Sequence, residues 1–489
     1  MPTTAPAAAD TPTIGVWVAV CVYLLVFAWF FPSVLTISDE AAYMRQARAF
    51  ATNSAAVSEI DAFTGAQVRV LPSDYPPGTS LLMAPLMWVG GWRGGFLLGA
   101  ACCAGTTLLL ASLLRRLGRS PLFALFFLAY PPTLVISRCG MSDLPAALFA
   151  CASLYVFWRW QTAGARFAAG LMAGLTLLFR ETSPLLLAFF FIGALLRRER
   201  GYAALVIGGM LGVATRGLAS WLMFGEPFHV KASHPGFGLA AVTDNVAIYA
   251  GALLVMIPGG ALWAALYRGE RRVEVMCTLG AFLLLHLLYG YSAEASGGLK
   301  QWILAPRFFI PAMPILILAM AEAAPRIWHW ALSRLRAGAQ HALTTTAFAF
   351  TLGVCIEVGF VAWYHANWSQ HQWQIVAALH SQTEPRTPLL TNLDASRKFF
   401  NELYDDEFGS RAVADFESAS PAQIQQALDR RSQIHVALVL RGESTHWNAR
   451  SVQLQSRLKE LEATFVVLPQ GETNLPSGER VQIFKVRRR

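Results

Sequence analysis

Two adjacent carboxylates, Asp39 and Glu40, follow directly on the first hydrophobic stretch of the chain, Thr13–Ile37. A carboxylate can take a proton from an attacking group, and it is costly to place beside hydrocarbon. Ionisable side chains at the edge of a membrane span are therefore functional by default. The simpler alternative is that the pair only caps a helix that begins at Ser38. The placement predicts a membrane protein with its chemistry at the bilayer face.

Further side chains able to bind or orient a polar substrate stand in the segments that follow. They are Tyr43, Asp74, Tyr75, Arg138, Asp143, Lys300 and Arg307. Several also have ordinary structural explanations, since Asp143 can cap a helix, Tyr75 precedes a proline turn, and Arg307 can snorkel from a helix end to the interface. Arg180 and Glu181 are expected to form a local ion pair.

The composition indicates a polytopic membrane protein. The 489 residues are 55% hydrophobic and 14% charged, whereas a soluble domain is about a quarter charged. The net charge of +9 arises from short arginine clusters between apolar runs rather than from one continuous basic face. This pattern excludes nucleic acid as a partner and is typical of the positive-inside rule. The seven cysteines show neither metal-ligand spacing nor a disulfide framework.

The apolar stretches predict about eleven membrane spans. The predicted spans are residues 13–36, 90–114, 121–137, 143–160, 167–179, 184–197, 201–222, 246–267, 273–290, 304–322 and 343–363. The first stretch lacks a positive flank and a cleavage site, so we expect a retained span rather than a signal peptide.

With a cytoplasmic N-terminus, the arginine clusters all fall on the cytoplasmic side. The clusters are Arg115/Arg116/Arg119, Arg159/Arg166, Arg197/Arg198/Arg200, Arg268/Arg271/Arg272 and Arg326/Arg334/Arg336. The carboxylate-bearing loops then face outward, and after an odd number of spans so does the tail. We therefore predict a multi-pass protein of the cytoplasmic (inner) membrane with a periplasmic, extracytoplasmic C-terminal region.

Two regions outside the spans have recognisable patterns. In the outer loop 37–89, Asp39–Ala51 has helical spacing and is expected to lie along the membrane interface, and Val57–Leu71 is expected to turn at Thr64-Gly65. The tail from Tyr364 alternates strand-length and helical patterns. Its predicted strands are Pro388–Leu390, His435–Leu440, Thr464–Leu468 and Val481–Val486, and its predicted helices are Asp394–Tyr404, Pro421–Arg430 and Ala449–Leu461.

The predicted fold class is an all-α polytopic membrane domain, residues 1–363, followed by a small soluble α/β domain, residues 364–489. A sugar carried on a polyprenyl phosphate would suit the outer face of such a protein. Its lipid tail needs an apolar groove, its departing phosphate needs cations, and the acceptor hydroxyl needs a base. Asp39 could serve as that base, with Lys300 and Arg307 as phosphate partners.

The chain resembles the GT-C superfamily of polytopic glycosyltransferases, in the branch of protein O-mannosyltransferases and lipid A aminoarabinose transferases. The matching pieces are Asp39-Glu40 followed by Tyr43, Tyr75-Pro76-Pro77, and Ala305-Pro306-Arg307-Phe308. The small terminal α/β domain also recurs in that branch. The resemblance implies that Asp39 is the catalytic carboxylate with Glu40 as its acidic neighbour, and that Arg307 lies near the lipid phosphate.

Two departures from the family pattern bear on the substrate. In the aminoarabinose branch a lysine often precedes the Pro-Pro pair, where this chain has Tyr75, so the sugar stays open. There is no DxD motif to support an obligatory metal of the oligosaccharyltransferase kind, and a divalent cation shared by Asp39 and Asp74 is left open.

The sequence thus predicts an inverting glycosyltransferase that uses a polyprenyl-phosphate donor and a lipid, glycan or protein acceptor at the outer membrane face. Lys300, Arg307 and Arg138 are expected to bind the phosphate. Substrate contacts are expected from Tyr43, Tyr75, Asp74 and Asp143, and the tail is expected to shape acceptor access or a protein contact. The alternatives are a flippase for a lipid-linked sugar, although polar mid-membrane features and matching halves are not evident, and a noncatalytic assembly subunit.

Overall fold

The computed structural model describes residues 14–231, 236–290, 305–332, 339–393, 399–441, 445–476 and 478–489. These residues belong to two compact units. The first unit comprises Met1–Phe31, Asp74–Thr79 and Phe96–His365, and the second comprises Pro32–Ser73, Ser80–Gly95 and Ala366–Arg489. The division predicted at residues 363/364 stays a prediction about domains.

Up to Ser381 the described chain is helical apart from one small hairpin. Its helices are α1 (Ile14–Trp29), α2 (Ser38–Ala51), α3 (Gly78–Gly90), α4 (Phe96–Arg116), α5 (Leu125–Leu128), α6 (Pro131–Ile136), α7 (Asp143–Arg159), α8 (Ala163–Leu175), α9 (Leu185–Leu196), α10 (Tyr202–Phe224), α11 (Ala240–Met256), α12 (Leu262–Leu266), α13 (Arg272–Leu288), α14 (Met313–Leu332) and α15 (Ala339–Ser381). Short 3₁₀ helices cover Trp92–Gly95, Pro121–Ala124, Thr176–Leu178 and Pro306–Ala312.

Within the described residues, four helical stretches are long and apolar enough to cross a membrane. They are Trp92–Arg116, Tyr202–Phe224, Pro306–His329 and Phe348–Ser381. Shorter apolar helices cover Ile14–Trp29, Gly78–Gly90, Ala163–Leu178 and Leu185–Leu196. These helices agree with a multi-pass membrane protein, while the count of eleven spans stays a prediction.

Two predicted spans differ in detail from the helices observed. The stretch 121–137 is broken into short helical pieces, because Pro131 and Pro132 have no N–H with which to continue a helix. The stretch 343–363 is part of the longer helix α15, since the sequence contains neither Gly nor Pro between residue 364 and Ser381.

Helices α8 and α10 pack unusually closely through glycine. A Cβ atom on Gly170 would lie 2.0 Å from the Leu205 carbonyl oxygen, and one on Gly212 would lie 2.7 Å from the Gly174 backbone. Small residues four apart allow this approach of two helix backbones, as in membrane helix pairs.

The outer loop has the local structure that its pattern predicted. Helix α2 confirms the helical assignment of Asp39–Ala51, and strands β1 (Val57–Ile60) and β2 (Gln67–Val70) pair as an antiparallel hairpin. Gly65 has φ +66° in the hairpin turn, a conformation that favours glycine. The position of α2 along a membrane interface stays a prediction.

The described residues of the tail form a five-stranded mixed sheet in the order β4-β3-β5-β7-β6. The strands are β3 (Leu389–Thr391), β4 (Val413–Asp415), β5 (Ile434–Arg441), β6 (Val466–Asn474) and β7 (Glu479–Arg487). The remaining helices are α16 (Asp405–Phe408), α17 (Pro421–Arg430) and α18 (Thr445–Thr464). Strand β3 is parallel to β4 and β5, and β7 is antiparallel to β5 and β6.

The tail core confirms the predicted α/β character. Leu438 of β5, Leu428 of α17 and Leu454 of α18 are buried in one apolar cluster. The predicted helix Asp394–Tyr404 is not observed as one element, because residues 394–398 lie outside the described residues and Glu402–Tyr404 is a 3₁₀ turn. The three-residue strand β4 is too short for its alternation to be recognised from sequence.

Candidate functional site

A buried ion pair joins two loops of the first unit. Asp143 opens helix α7, where the helix dipole favours a negative charge, and its side chain is fully buried. One carboxylate oxygen accepts a hydrogen bond from the Arg180 guanidinium. The other oxygen, Oδ2, has no hydrogen-bond partner among the described residues. The predicted local pair of Arg180 with Glu181 was wrong, because Arg180 points toward the start of α7 instead.

A second arginine belongs to the same cluster. Arg307 lies in the 3₁₀ turn Pro306–Ala312 and is 3% exposed. Its guanidinium carbon lies 5.2 Å from the ring centre of Phe308, and that of Arg180 lies 4.7 Å from the same ring. Cations favour the face of an aromatic ring. Both arginines are therefore held against one phenylalanine, with Asp143 paired to one of them.

The start of this 3₁₀ turn is held by a hydrogen bond. The Tyr130 hydroxyl donates to the Pro306 carbonyl at 2.8 Å. A proline in the first turn of a helix loses no intrahelical hydrogen bond, so Pro306 suits the position.

Lys231 lies against Tyr75, in the loop that carries the Tyr-Pro-Pro motif. Its Nζ donates to the Tyr75 hydroxyl at 2.7 Å and lies 4.2 Å from the ring centre. No carboxylate oxygen lies within 4.0 Å of the Lys231 ammonium in the part of the chain that the structure describes. The resemblance indicates that a lysine often stands directly before the Pro-Pro pair, where this chain has Tyr75. Here a lysine from another loop, Lys231, contacts that tyrosine.

The loop that carries Lys231 is anchored to α10. Arg216, buried in that helix, donates from Nη2 to the His229 carbonyl at 2.8 Å. The His229 ring stacks on Phe224 at a centroid distance of 4.1 Å. Phe228 has φ +59°, a strained backbone for a residue with a side chain. These contacts anchor the loop that places Lys231 against Tyr75.

The polar loops converge on one end of the first unit. Glu181, beside Arg180, lies 4.0 Å from Arg216. A Cβ atom on Gly78, at the end of the Tyr-Pro-Pro motif, would lie 2.6 Å from Leu178. Loops that are far apart in sequence therefore meet where the predicted outer face should be.

The arginine-rich loops meet at the opposite end of the same helices. Glu199 binds the guanidinium groups of Arg166, Arg197 and Arg271, and Glu274 binds that of Arg197. A second group joins the remaining loops, since Glu322 lies 3.0 Å from Arg326 and 3.9 Å from Arg119, and accepts the Arg268 backbone N–H. Each of the five predicted cytoplasmic clusters contributes to these two groups, so the predicted loops share a side. Which side is cytoplasmic stays a prediction.

Arg138 makes its contacts at the end of α1. Its Nε donates to His365 Nδ1 at 3.2 Å, a second nitrogen donates to the Phe30 carbonyl, and its guanidinium carbon lies 5.6 Å from the Phe27 ring centre. These contacts give Arg138 a structural function at this position. Its contact with a phosphate stays a prediction.

Three predicted site residues lie in the second unit. Asp39 is the second residue of α2 and is half-buried. The buried Glu40 carboxylate accepts the backbone N–H groups of Thr36 at 2.6 Å and Ile37 at 2.7 Å, which organises the turn before the helix. Tyr43 is buried, and its carbonyl accepts a hydrogen bond from Ser80.

The remaining predicted site residues are Asp74 and Lys300. Asp74 is exposed at the start of the Tyr-Pro-Pro loop. Lys300 lies outside the described residues. Among the residues that are described, no group of three or more His, Cys, Asp or Glu side chains converges as a metal site would require.

The fold is similar to that of ArnT from Cupriavidus metallidurans. The apo crystal structure matches with a TM-score of 0.58 at 14% sequence identity, over 96% of this chain and 97% of ArnT. The structure of ArnT bound to undecaprenyl phosphate gives 0.57 at 14% identity, over 97% and 98%. The archaeal oligosaccharyltransferase AglB from Archaeoglobus fulgidus, in complex with an inhibitory peptide and a dolichol-phosphate, gives 0.48 at 12% identity, over 96% and 73%.

The likeness to the two ArnT structures confirms the predicted resemblance at the level of fold. No family model matches the sequence, and no curated protein matches it.

Proposed function

We propose that the chain is a glycosyltransferase that takes its sugar from a polyprenyl phosphate. The observation that supports this most strongly is the convergence of Asp143–Arg180, Arg307 and Lys231–Tyr75 at one end of the first unit. Cations gathered beside one paired carboxylate suit a sugar phosphate better than a neutral ligand. The likeness to the ArnT fold, solved with undecaprenyl phosphate, supports the same donor class.

Arg307 and Lys231 are the phosphate-binding groups in this proposal, with Lys300 as a further cation. The departing phosphate is ionised, so it needs positive charge placed in advance rather than a proton. Arg307 offers a planar fork that two phosphate oxygens can share, whereas Lys231 offers a point charge held against Tyr75. The free oxygen of Asp143 can accept a hydrogen bond from a sugar hydroxyl.

Asp39 is the general base. It takes the proton of the acceptor hydroxyl as that oxygen bonds to the anomeric carbon. The bond from the anomeric carbon to the phosphate oxygen breaks, and its electron pair leaves with the phosphate as polyprenyl phosphate. A single base is sufficient for one displacement, so the anomeric configuration inverts. Glu40 holds the turn that precedes Asp39 through its hydrogen bonds to Thr36 and Ile37.

The proposal places this reaction at the outer face of the cytoplasmic membrane. The two ends of the first unit differ as the positive-inside rule requires, with the arginine–glutamate groups at the other end. The acceptor is a lipid, a glycan or a protein.

Transfer from a panel of radiolabelled polyprenyl-phosphate sugars tests the proposal. Wild type should transfer one of them, and Asp39→Asn should reduce the rate by about 10³-fold, the range for loss of a general base. Asp61→Asn is the matched control, because Asp61 holds only the hairpin turn through Phe63 and Thr64. Equal rates for Asp39→Asn and wild type would remove Asp39 from the mechanism.

A further inference from the structure

The tail contacts helix α2 through a buried arginine. Arg45, 1% exposed, lies six residues after Asp39 on α2. Its Nε donates to both carboxylate oxygens of Glu402 in the tail, at 3.1 and 2.9 Å, and its Nη2 donates to Glu59 of the hairpin. One guanidinium therefore ties α2, the hairpin and the tail together within the second unit.

A second contact lies three residues further along α2. The Arg48 guanidinium donates from Nη1 to the Glu402 carbonyl oxygen at 2.7 Å. Asn401 caps the turn Glu402–Tyr404, because its side-chain oxygen accepts a hydrogen bond from the Leu403 N–H at 2.9 Å. Glu402 therefore binds two arginines of α2, Arg45 through its carboxylate and Arg48 through its backbone carbonyl.

The same turn also contacts the residues before α2. The Tyr404 hydroxyl oxygen accepts a hydrogen bond from the Leu35 backbone N–H, and the Tyr404 ring packs edge-on against Trp92 with 5.3 Å between ring centres. Tyr404 is 1% exposed and Leu35 is fully buried. The turn therefore contacts the chain on both sides of Asp39 in the sequence, at Leu35 before it and at Arg45 after it.

We propose that Glu402 and Tyr404 are positioning residues for the catalytic carboxylate, and that the tail holds the reactive end of α2 in place. This inference rests on the proposed role of Asp39. It gives the tail a function in the chemical step, beyond the expected effects on acceptor access. Reacting groups displaced by about 1 Å lose on the order of 100-fold in rate, so a small movement of α2 is enough to matter.

The test compares three variants of the full-length protein in nanodiscs. Glu402→Gln removes the charge from the Arg45 pair but keeps the side-chain shape, and Tyr404→Phe removes only the hydroxyl. Glu384→Gln is the control, since it breaks a tail ion pair with Lys485 on the exposed side of the sheet. The readouts are kcat, the KM for the donor, and hydrogen exchange of the amides of residues 38–51.

We expect Glu402→Gln to lower kcat per folded molecule by about 10-fold, with the donor KM unchanged within about twofold and faster exchange in α2. Tyr404→Phe should change kcat and exchange in the same direction by a smaller factor, and Glu384→Gln should change neither. A KM increase without a kcat decrease would overturn the inference, as would unchanged exchange in α2. If Glu402→Gln does not fold, Tyr404→Phe decides by the same criteria.

The exchange measurement separates the two proposals. If no donor supports transfer by wild type, the proposed function fails, whereas α2 exchange in the variants still reports whether the tail holds the helix. If wild type transfers sugar and α2 exchange does not respond to either tail variant, the positioning role fails alone.

Discussion

The two polar ends of the first unit hold their cations in different ways. At one end, Glu199 binds three arginines, and Glu274 binds one of the same three, Arg197. At the other end, Arg307 rests against Phe308 and Lys231 rests against Tyr75. A carboxylate partner cancels the charge of a cation, whereas the Lys231 ammonium has no carboxylate oxygen within 4.0 Å among the described residues and keeps its net charge against the Tyr75 ring.

This difference indicates which end holds the molecule together and which end can bind an anion. The glutamate groups tie loops that contain no proposed substrate contact, so their charge pairs act on stability. The aromatic supports hold cations at the end where Asp143 also lies. Substitutions at the two ends should therefore change different quantities, and three variants test that expectation.

Arg307→Gln should have the largest effect, because it removes the charge that faces the departing phosphate in the proposed mechanism. We expect kcat/KM for transfer to fall about 100-fold, the usual cost of losing one group that stabilises developing charge. Arg326→Gln, at the other end and 38% exposed, is the matched control and should change kcat/KM less than about twofold. Equal losses of kcat/KM in the two variants would contradict the assignment of phosphate binding to one end only.

Lys231→Ala should have a smaller effect on transfer. We expect about a 10-fold decrease in kcat/KM, equivalent to about 1.4 kcal/mol of transition-state stabilisation. Tyr75→Phe keeps the ring under the ammonium and loses only the hydroxyl that accepts its hydrogen bond, so it should cost about twofold. A Lys231→Ala enzyme with wild-type kinetics would show that this lysine has no contact with the donor.

Glu199→Gln should affect stability and leave transfer unchanged. Breaking a buried ion pair costs about 3–5 kcal/mol, and since the Glu199 side chain is 18% exposed we expect the free energy of unfolding to fall by about 2 kcal/mol. Chemical denaturation in mixed micelles measures this, with kcat per folded molecule as the control. A loss of kcat without a loss of stability would contradict the assignment of this end.

The same carboxylate predicts a pH dependence. Burial by itself raises the pKa of Glu199, but the hydrogen bond and charge of Arg271, followed by Arg197 and Arg166, hold the pKa below its ordinary value of 4.5. A lowered pKa means that the stabilisation is fully present above pH 4.5 and is lost as the pH falls through the folded value. The stability difference between wild type and Glu199→Gln should therefore shrink below pH 4.5.

Local patterns predicted much of the fold. Helix α2, the hairpin turn at Gly65 and strand β5 were predictable because each is specified by short-range periodicity or a turn residue. The sorting of charged loops to two ends was also predictable, since charge placement follows sidedness along the whole chain. The broken stretch 121–137 was not recognised because its apolar composition outweighed its prolines.

The details of the site depend on packing that a sequence does not display. Arg180 pairs with Asp143, 37 residues away, rather than with its neighbour Glu181, because the packing of α7 brings the buried carboxylate to it. Lys231 reaches Tyr75 across 156 residues. The Tyr-Pro-Pro motif made Tyr75 recognisable from the sequence. Its partner Lys231 is recognisable only from the structure, because the anchored loop after α10 brings it to Tyr75.

Binding of polyprenyl phosphate, without a sugar, tests the central claim most directly. Its affinity would be measured by titrating undecaprenyl phosphate into wild type, the Arg307→Gln/Lys231→Ala double variant and Glu199→Gln, all in the same nanodiscs. The account predicts that wild type and Glu199→Gln bind with equal affinity and that the double variant binds at least about 10-fold more weakly. Equal affinity of the double variant and wild type would contradict the assignment of this end of the molecule to the donor phosphate.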